Sequence, residues 1–409
     1  MVARFQGGPN AGHSIQFDGK QYVFHNVPSG VTTRGVINVI GDNVVIDPYG
    51  LMCEIKKLHQ AGYNQLRTLK IAKLANLIMP THRALDAAKE KSLGKKKVGT
   101  TGKGIGPCYT DHTARRGLLV GYMGESEVSF KRRYNRLKRE HLRELASLDF
   151  NLDELILDGM TFKQYEKAWF EGIEYLRRFE RIDCSDYIQK ALRKNKRILA
   201  EGAQGSMLDI KYGSYPFVTS SNVLASGVCA GLGIAPNQIG RMFGIVKAYC
   251  TRVGEGPFHT ELHNEIGEKL RQYGHEFGAT TGRPRRCGWL DLVALKHTVQ
   301  LNGVTDIVLT KADVMRFLNG VKVAVGYKYN GKVVDYLPFE ANTRKMTPVY
   351  KRFPGWKKDI SSIRKYDRLP KQLKKLISFI EQETHCRVSI VSVGPEREAT
   401  IIRNYRKAI

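Results

Sequence analysis

Four short apolar runs without polar alternation, at residues 197–200 (RILA), 242–246 (MFGIV), 306–309 (DIVL) and 388–391 (VSIV), constrain the fold of this 409-residue chain more than any other feature. Alternation marks a strand with one wet face. Its absence predicts strands buried on both faces, as in the middle of a largely parallel sheet. Helical patterns separate these runs, at residues 162–179, 289–301 and 371–383. Strand–helix alternation makes the fold class α/β, a large, mostly parallel sheet flanked by helices. Two small hairpins are predicted beside it. One covers residues 14–24 around Asp18-Gly19, and the other joins 321–325 to 332–334 around Asn330-Gly331, the strongest short-range turn signal in the chain. No repeat, low-complexity tract or Pro/Ser-rich linker interrupts the sequence, so residues 1–409 read as one domain.

Composition narrows the class. Hydrophobic residues at 42% and charged residues at 26% suit a globular protein. The opening MVARFQGG lacks the apolar core of a secretory signal, and the weakly polar stretch 222–236 is too short and too interrupted to span a bilayer. Seven cysteines share no C-x-x-C spacing, which predicts free thiols, no zinc and a reducing, cytoplasmic setting. The net charge of +27 is the one unusual bulk property. Part of it lies at Lys131, Arg132, Arg133, Arg136, Lys138, Arg139 and Arg143, interleaved with Phe130, Leu137, Leu142 and Leu145. That spacing predicts a helix with a solvated basic face. No zinc-finger, RRM or similar signature accompanies it, so nucleic acid is not the expected partner; a basic nucleic-acid-binding protein is the rival, non-enzymatic reading.

Chemistry concentrates in loops, most of which follow a strand, where open α/β sheets place their ligands. Residues 6–14 (QGGPNAGHS) combine glycines that permit close backbone approach with His13, able to give or take a proton near neutrality. Residues 98–107 (VGTTGKGIGP) offer exposed N–H groups, two threonine hydroxyls and a lysine, a phosphate cradle without the G-K-[ST] ending of a Walker A loop. Arg115 and Arg116 follow closely and suit a bidentate phosphate grip. In EGAQG, residues 201–205, Gln204 can read a base edge or a phosphate. Residues 278–286 (GATTGRPRR) hold three arginines that would be costly to keep together without anions between them. Lys311, Ala312 and Asp313 follow one strand, and Ser392, Val393 and Gly394 another. An aspartate so placed can accept both N1–H and N2–H of guanine.

Taken in order, PNAGHS, VGTTGKGIGP, EGAQG, YPFVTSSN, GATTGRPRRCGW, TKAD and SVGP resemble the adenylosuccinate synthetase family over essentially the whole chain. The resemblance implies a P-loop-NTPase-like ligase architecture and a homodimer. It implies that GTP phosphorylates the 6-oxygen of IMP and that the amino group of L-aspartate displaces the phosphate. The products are adenylosuccinate, GDP and phosphate, at the first committed step of AMP synthesis. It implies His13 as the acid at the 6-oxygen, and Asn10, Ala11, Gly12, His13, Thr101, Gln204, Thr219 and Arg283 as IMP contacts, with Arg115 supplied across the dimer. Ala279, Thr280, Thr281, Gly282, Arg283, Pro284 and Arg285 match the aspartate loop. Gly12, His13, Ser14, Arg285, Lys311, Ala312, Asp313, Ser392, Val393 and Gly394 match GTP contacts, and the Gly12 carbonyl matches a Mg²⁺ ligand.

The chain also departs from the family pattern, which opens with a strand, a glycine-rich phosphate loop and a helix carrying a base aspartate and a phosphate-binding lysine. The expectation is that this chain starts just after that segment. Three explanations follow: a start that lies upstream, a truncated and inactive relative, or a relative acting on another purine nucleotide such as dGMP. Lys211, His259 and Ala312 are smaller departures.

Overall fold

The computed structural model describes residues 1–17, 20–64, 66–94, 97, 99–278 and 282–403. The chain divides into two compact units, one built from residues 1–14, 23–213 and 218–238, the other from 15–22, 214–217 and 239–409.

The first unit is organised on strands β1 (Val2–Gly7), β2 (Asn38–Ile46), β3 (Leu69–Ala72), β4 (Glu180–Ile182) and β5 (Leu199–Glu201), in the order β5-β1-β2-β3-β4. Every pairing is parallel, and the short strand Asn76–Leu77 adds beside the end of β2. Helices α1 (Pro48–Gln60), α2 (Pro80–Leu93), α3 (Ile105–Thr113), α4 (Glu127–Ser147) and α5 (Phe162–Leu176) supply the apolar cover. Two of them show why the chain folds this way. α5 starts on a capping box in which Thr161 and Gln164 satisfy each other's backbone N–H groups. On α4, Phe130, Tyr134, Leu137, His141 and Leu145 recur at helical spacing and are buried. Phe130 stacks on Trp169 of α5, whose indole N–H donates to the carbonyl of Ile78 at 2.7 Å.

A helix crosses β1 and β2 closely enough to demand glycine. At Gly41 an added Cβ would lie 2.5 Å from the carbonyl oxygen of Gly231, in the helix Gly227–Leu232, and 2.8 Å from that of Arg4. Gly41→Ala is therefore expected to cost about 1–3 kcal/mol, because two backbone oxygens must retreat. A urea midpoint unchanged from the parent would contradict that close approach.

The second unit carries strands β6 (Phe243–Lys247), β7 (Asp306–Thr310), β8 (Arg387–Ser392) and β9 (Thr400–Ile402), with β6, β7 and β8 parallel and β9 antiparallel to β8. Its core joins Leu309, Trp356, Leu373, Leu376, Ile380 and Val388. The predicted Asn330-Gly331 hairpin is present. Gly320–Tyr329 pairs antiparallel with Lys332–Val334, and both turn residues have positive φ, 48° and 75°, as the tight hairpin turn requires. For the other hairpin, His13–Phe17 and Lys20–Phe24 form a two-stranded sheet, while Asp18 and Gly19 lie outside the described residues.

The α/β class is as expected, a parallel sheet flanked by helices. The expected burial is not uniform. β7 and β8 are interior strands, whereas β5 and β6 are edge strands among the described residues, leaving Leu199 54% and Ile245 77% exposed. An unbroken apolar run does not distinguish the two positions. No helix among the described residues is long and apolar enough to cross a membrane. All seven cysteines are free.

Candidate functional site

In the first unit, the carboxyl ends of β1 and β5 bring two predicted loops together. After β1 the chain turns over residues 8–11, with the Ala11 N–H bonded to the Gly8 carbonyl at 3.3 Å. Gly8 is required there, because a Cβ would lie 2.6 Å from Val45 Cγ2. After β5, Gln204 adopts a left-handed φ of 64° and donates through Nε2 to Asn10 Oδ1 at 3.0 Å. Asn10 Nδ2 in turn donates to Thr219 Oγ1 at 3.5 Å. Three residues predicted from separate loops thus form one hydrogen-bonded chain. Ala11 and Gly12 are half-buried beside it, and Ser14 is exposed.

His13 begins the strand that follows. Its Nε2 is buried without a hydrogen-bond partner among the described residues, and Glu201 Oε1 stands 3.8 Å away. Burial pushes the imidazole down to about 4, with Arg4 and His25 adding to the effect and Glu201 opposing it. Reading His13 as a group that titrates near neutrality is therefore corrected: at pH 7 the ring is neutral and offers an N–H. An NMR titration of the free protein is expected to place its midpoint near pH 4, with the neutral form dominant at every pH above that. A midpoint near 6.5 would contradict the burial. Gln204 Oε1 is likewise buried and unpartnered among the described residues.

The sequence predicts a phosphate cradle in the glycine-rich loop before α3. Three of its amides donate to the chain's own carboxylates, and the Gly102 N–H donates to Thr100 Oγ1 at 3.4 Å. The Gly99 and Thr100 N–H groups donate to Glu90 Oε2 at 2.9 and 3.2 Å, and that of Gly104 to Asp86 Oδ2 at 2.9 Å. Lys103 pairs with Asp158 at 2.9 Å, as does Arg83 at 2.7 Å. Val98 lies outside the described residues, and Thr101 is half-buried in the loop. The first turn of α3 does approach the Thr219 loop, with Ser220 Oγ 3.4 Å from the position of a Cβ on Gly106.

Arg115 does not join this cluster. It sits past the other end of α3, exposed, at φ 61°. The neighbouring Arg116 is held at 2.7 Å by Asp111, a buried carboxylate that also receives His82 and His141 Nε2, each at 2.7 Å. This group resembles a metal centre, but its hydrogen bonds argue otherwise. Both Nε2 atoms lie 2.7 Å from the Asp111 carboxylate, which accepts and does not donate, so both carry protons and offer no lone pair to a cation; consistently, His82 Nδ1 accepts the Met79 N–H at 2.9 Å. It is a hub that ties α2, α3 and α4 together.

In the second unit, the parallel register of β7 and β8, with Leu309 opposite Val391, sets residues 311–313 beside 392–394. Lys311, at φ 63°, donates to the Gly274 carbonyl at 3.0 Å. Ala312 is fully buried and its carbonyl accepts the Trp356 indole N–H at 3.1 Å. Burial raises the carboxyl of Asp313. Ser392 Oγ donates to the Gly394 carbonyl at 2.9 Å, and Val393 is buried. Two arginines of the arginine loop have counter-charges within the chain. Arg285 donates to Glu276 at 2.6 Å and Arg286 to Glu261 at 2.5 and 2.7 Å. Gly282 and Pro284 are exposed and Arg283 is half-buried; Ala279, Thr280 and Thr281 lie outside the described residues.

The adenylosuccinate synthetase family model matches residues 1–401. The chain belongs to the adenylosuccinate synthetase family. The adenylosuccinate synthetase of Bacteroides fragilis is 48% identical over 403 residues, covering 98% of this chain and 92% of that protein. That of Porphyromonas gingivalis is 49% identical, covering 98% and 93%. Among solved structures, the fully ligated adenylosuccinate synthetase from Plasmodium falciparum matches with a TM-score of 0.90 at 36% identity, over 98% of this chain and 93% of that one. The succinoaminodeoxyadenylate synthetase of cyanophage S-2L, solved with dGMP and dATP, shares the fold at a TM-score of 0.58 and 19% identity, over 99% of this chain and 88% of that one. The expectation that the chain lacks the family's opening strand, phosphate loop and helix finds no support in these alignments, which run over 98% of it.

Within this family member the structure adds residues that the sequence did not single out. Arg4, on β1, is buried with all three guanidinium nitrogens unbonded among the described residues. Glu201 receives the backbone N–H and the hydroxyl of Ser29, which fixes the carboxylate facing His13. Lys247, the last residue of β6, joins Arg285 and the Tyr249 hydroxyl around the fully buried Glu276. For Arg4 and Glu201 the signal was position, since each lies on or at the end of a strand that leads into a predicted loop; Lys247 carried no such signal. The departure at His259 is structural, since its Nδ1 accepts the Met346 N–H at 3.1 Å and burial lowers its pKa to about 4.

Proposed function

We propose that this chain is a GTP-dependent carbon–nitrogen ligase that joins IMP and L-aspartate to form adenylosuccinate, GDP and phosphate. The 6-oxygen of IMP attacks the γ-phosphorus of GTP and GDP leaves. The amino nitrogen of aspartate then attacks C6 and phosphate departs with the oxygen. A carbonyl oxygen leaves poorly; phosphorylated, it leaves well. Family membership supports this reading, and the observation that carries the nucleotide assignment is a pair of orphaned buried groups. In this proposal the neutral His13 carries its proton on Nε2 and donates while Gln204 Oε1 accepts, and neither atom has a partner among the described residues. Hypoxanthine presents the complement on adjacent atoms, a 6-oxygen acceptor and an N1–H donor. Leaving such groups unpaired is costly, so a ligand that pairs both binds with selectivity.

In this reading His13 stabilises the charge that develops on the 6-oxygen, and Asn10, Gln204 and Thr219 orient the nucleotide, with Ala11, Gly12, Thr101 and Arg283 as further contacts. Arg115, remote from that cluster within its own chain, serves a partner protomer in a homodimer. Residues 279–285 hold aspartate. Asp313 reads guanine, while Lys311, Ala312, Ser392, Val393, Gly394, Ser14 and Arg285 line GTP. Residues 1–409 act as one synthetase domain in the cytoplasm. Magnesium fits the donor set modestly: the Gly12 carbonyl is one hard oxygen ligand, and Mg²⁺ is commonly bound through one or two protein oxygens with substrate phosphates and waters completing its shell. When bound, it would neutralise phosphate charge.

Calorimetric titration with IMP and with dGMP tests the substrate. IMP is expected to bind, and Gln204→Ala to weaken it by about 10-fold, the value of one lost buried hydrogen bond. Preferential binding of dGMP would overturn the assignment in favour of the other purine nucleotide.

A further inference from the structure

Helix α4 carries its buried residues at 130, 134, 137, 141 and 145. Arg132, Arg136, Arg139 and Arg143 are spaced 4, 3 and 4 residues apart and all are exposed. At 100° per residue their stripe lies about 180° from the buried one, and it runs roughly 16 Å along the axis. The acids of α4 are committed elsewhere: Glu127 pairs with Lys131, Glu140 with Arg116 and Glu144 with Lys89. None of the four arginines has an ion pair among the described residues. The face therefore presents four uncompensated guanidinium groups in one row, on a chain whose net charge is +27.

We propose that this arginine face of α4 is a docking surface for the phosphodiester backbone of nucleic acid, bound without regard to sequence. Three features favour that partner. The charges are regular and of one sign, matching a polyanion of uniform charge density. They are arginines, whose planar forks grip phosphate oxygens in pairs. Between Arg132 and Arg143 the stripe carries no large apolar side chain, the exposed Val128 standing one turn before its end, whereas an acidic protein partner would need an apolar centre to the interface. Backbone binding needs none of the base-reading motifs whose absence the sequence shows.

Fluorescence anisotropy of a labelled 20-base-pair DNA duplex, with the full chain between 50 and 200 mM KCl, tests the proposal. With four phosphates neutralised, log Kd should change with log salt at a slope of magnitude about 3.6, so affinity falls roughly 100-fold over that range. IMP and GTP should not displace the duplex. Changing all four residues to glutamine is expected to remove most of the slope and weaken binding at 50 mM KCl by about 100-fold. Arg136→Gln with Arg139→Gln should remove about half of the slope. Circular dichroism melts of both variants should match the parent, since the side chains are exposed. An unchanged slope in the fourfold variant, or no duplex binding by the parent, would overturn the proposal. So would anionic lipid vesicles or polyglutamate binding through the same arginines where the duplex does not.

Discussion

Replacing His13 by alanine is expected to lower kcat by about 100- to 1,000-fold, the range for one lost hydrogen-bond donor to a developing oxyanion, while affinities for IMP and GTP change only a few-fold. The expectation rests on geometry. The ring nitrogen is buried and unpartnered among the described residues, burial keeps the ring neutral, and Glu201 at 3.8 Å faces it without binding it. A donor held this way strengthens its bond as charge grows on the 6-oxygen, which is a transition-state effect more than a binding effect. Steady-state phosphate release beside calorimetric IMP binding separates the two. A variant with unchanged kcat would remove His13 from the chemistry; one that simply failed to bind IMP would make it a binding residue.

The second large effect is expected at Glu276. Its carboxylate is fully buried and receives Lys247 at 2.8 and 2.9 Å, Tyr249 at 2.7 Å and Arg285 at 2.6 Å. The two cations and the hydroxyl outweigh the burial that would raise its pKa, and they hold it below the usual carboxylate range. Removing it leaves two partly buried cations facing each other and a buried hydroxyl without its acceptor. Glu276→Ala should cost about 3–5 kcal/mol by chemical denaturation. Glu276→Gln, which keeps an acceptor for Tyr249, should cost less. In a variant stable enough to assay, the unrestrained Arg285 should raise the KM for aspartate and GTP. Equal stability of parent and Ala variant would show that the cluster carries no such charge balance.

Much of this was legible in the sequence, for identifiable reasons. Unbroken apolar runs located β7 and β8, and the Asn330-Gly331 pair located its hairpin, because period and turn chemistry are local. β2 was not marked by that pattern: Gly41, Asp42 and Asn43 interrupt it, and Gly41 is there for the close crossing of a helix distant in sequence. Asn10, Gln204 and Thr219 were each weak alone and became one hydrogen-bonded group only through the ends of β1 and β5. The acids that face the charged loops were not legible, because they are remote along the chain or across a turn. Glu90 and Asp86 come from α2, and Glu276 and Glu261 precede their arginines by 9 and 25 residues. A run of arginines or amides reports the need for an anion. It does not report whose anion.

The most direct test of the central claim is adenylosuccinate formation by this 409-residue chain, followed with IMP, L-aspartate, GTP and Mg²⁺ together and with each omitted in turn. Product and phosphate are expected in equal amounts, only in the complete mixture. Absence of product at concentrations where IMP is seen to bind would contradict the account.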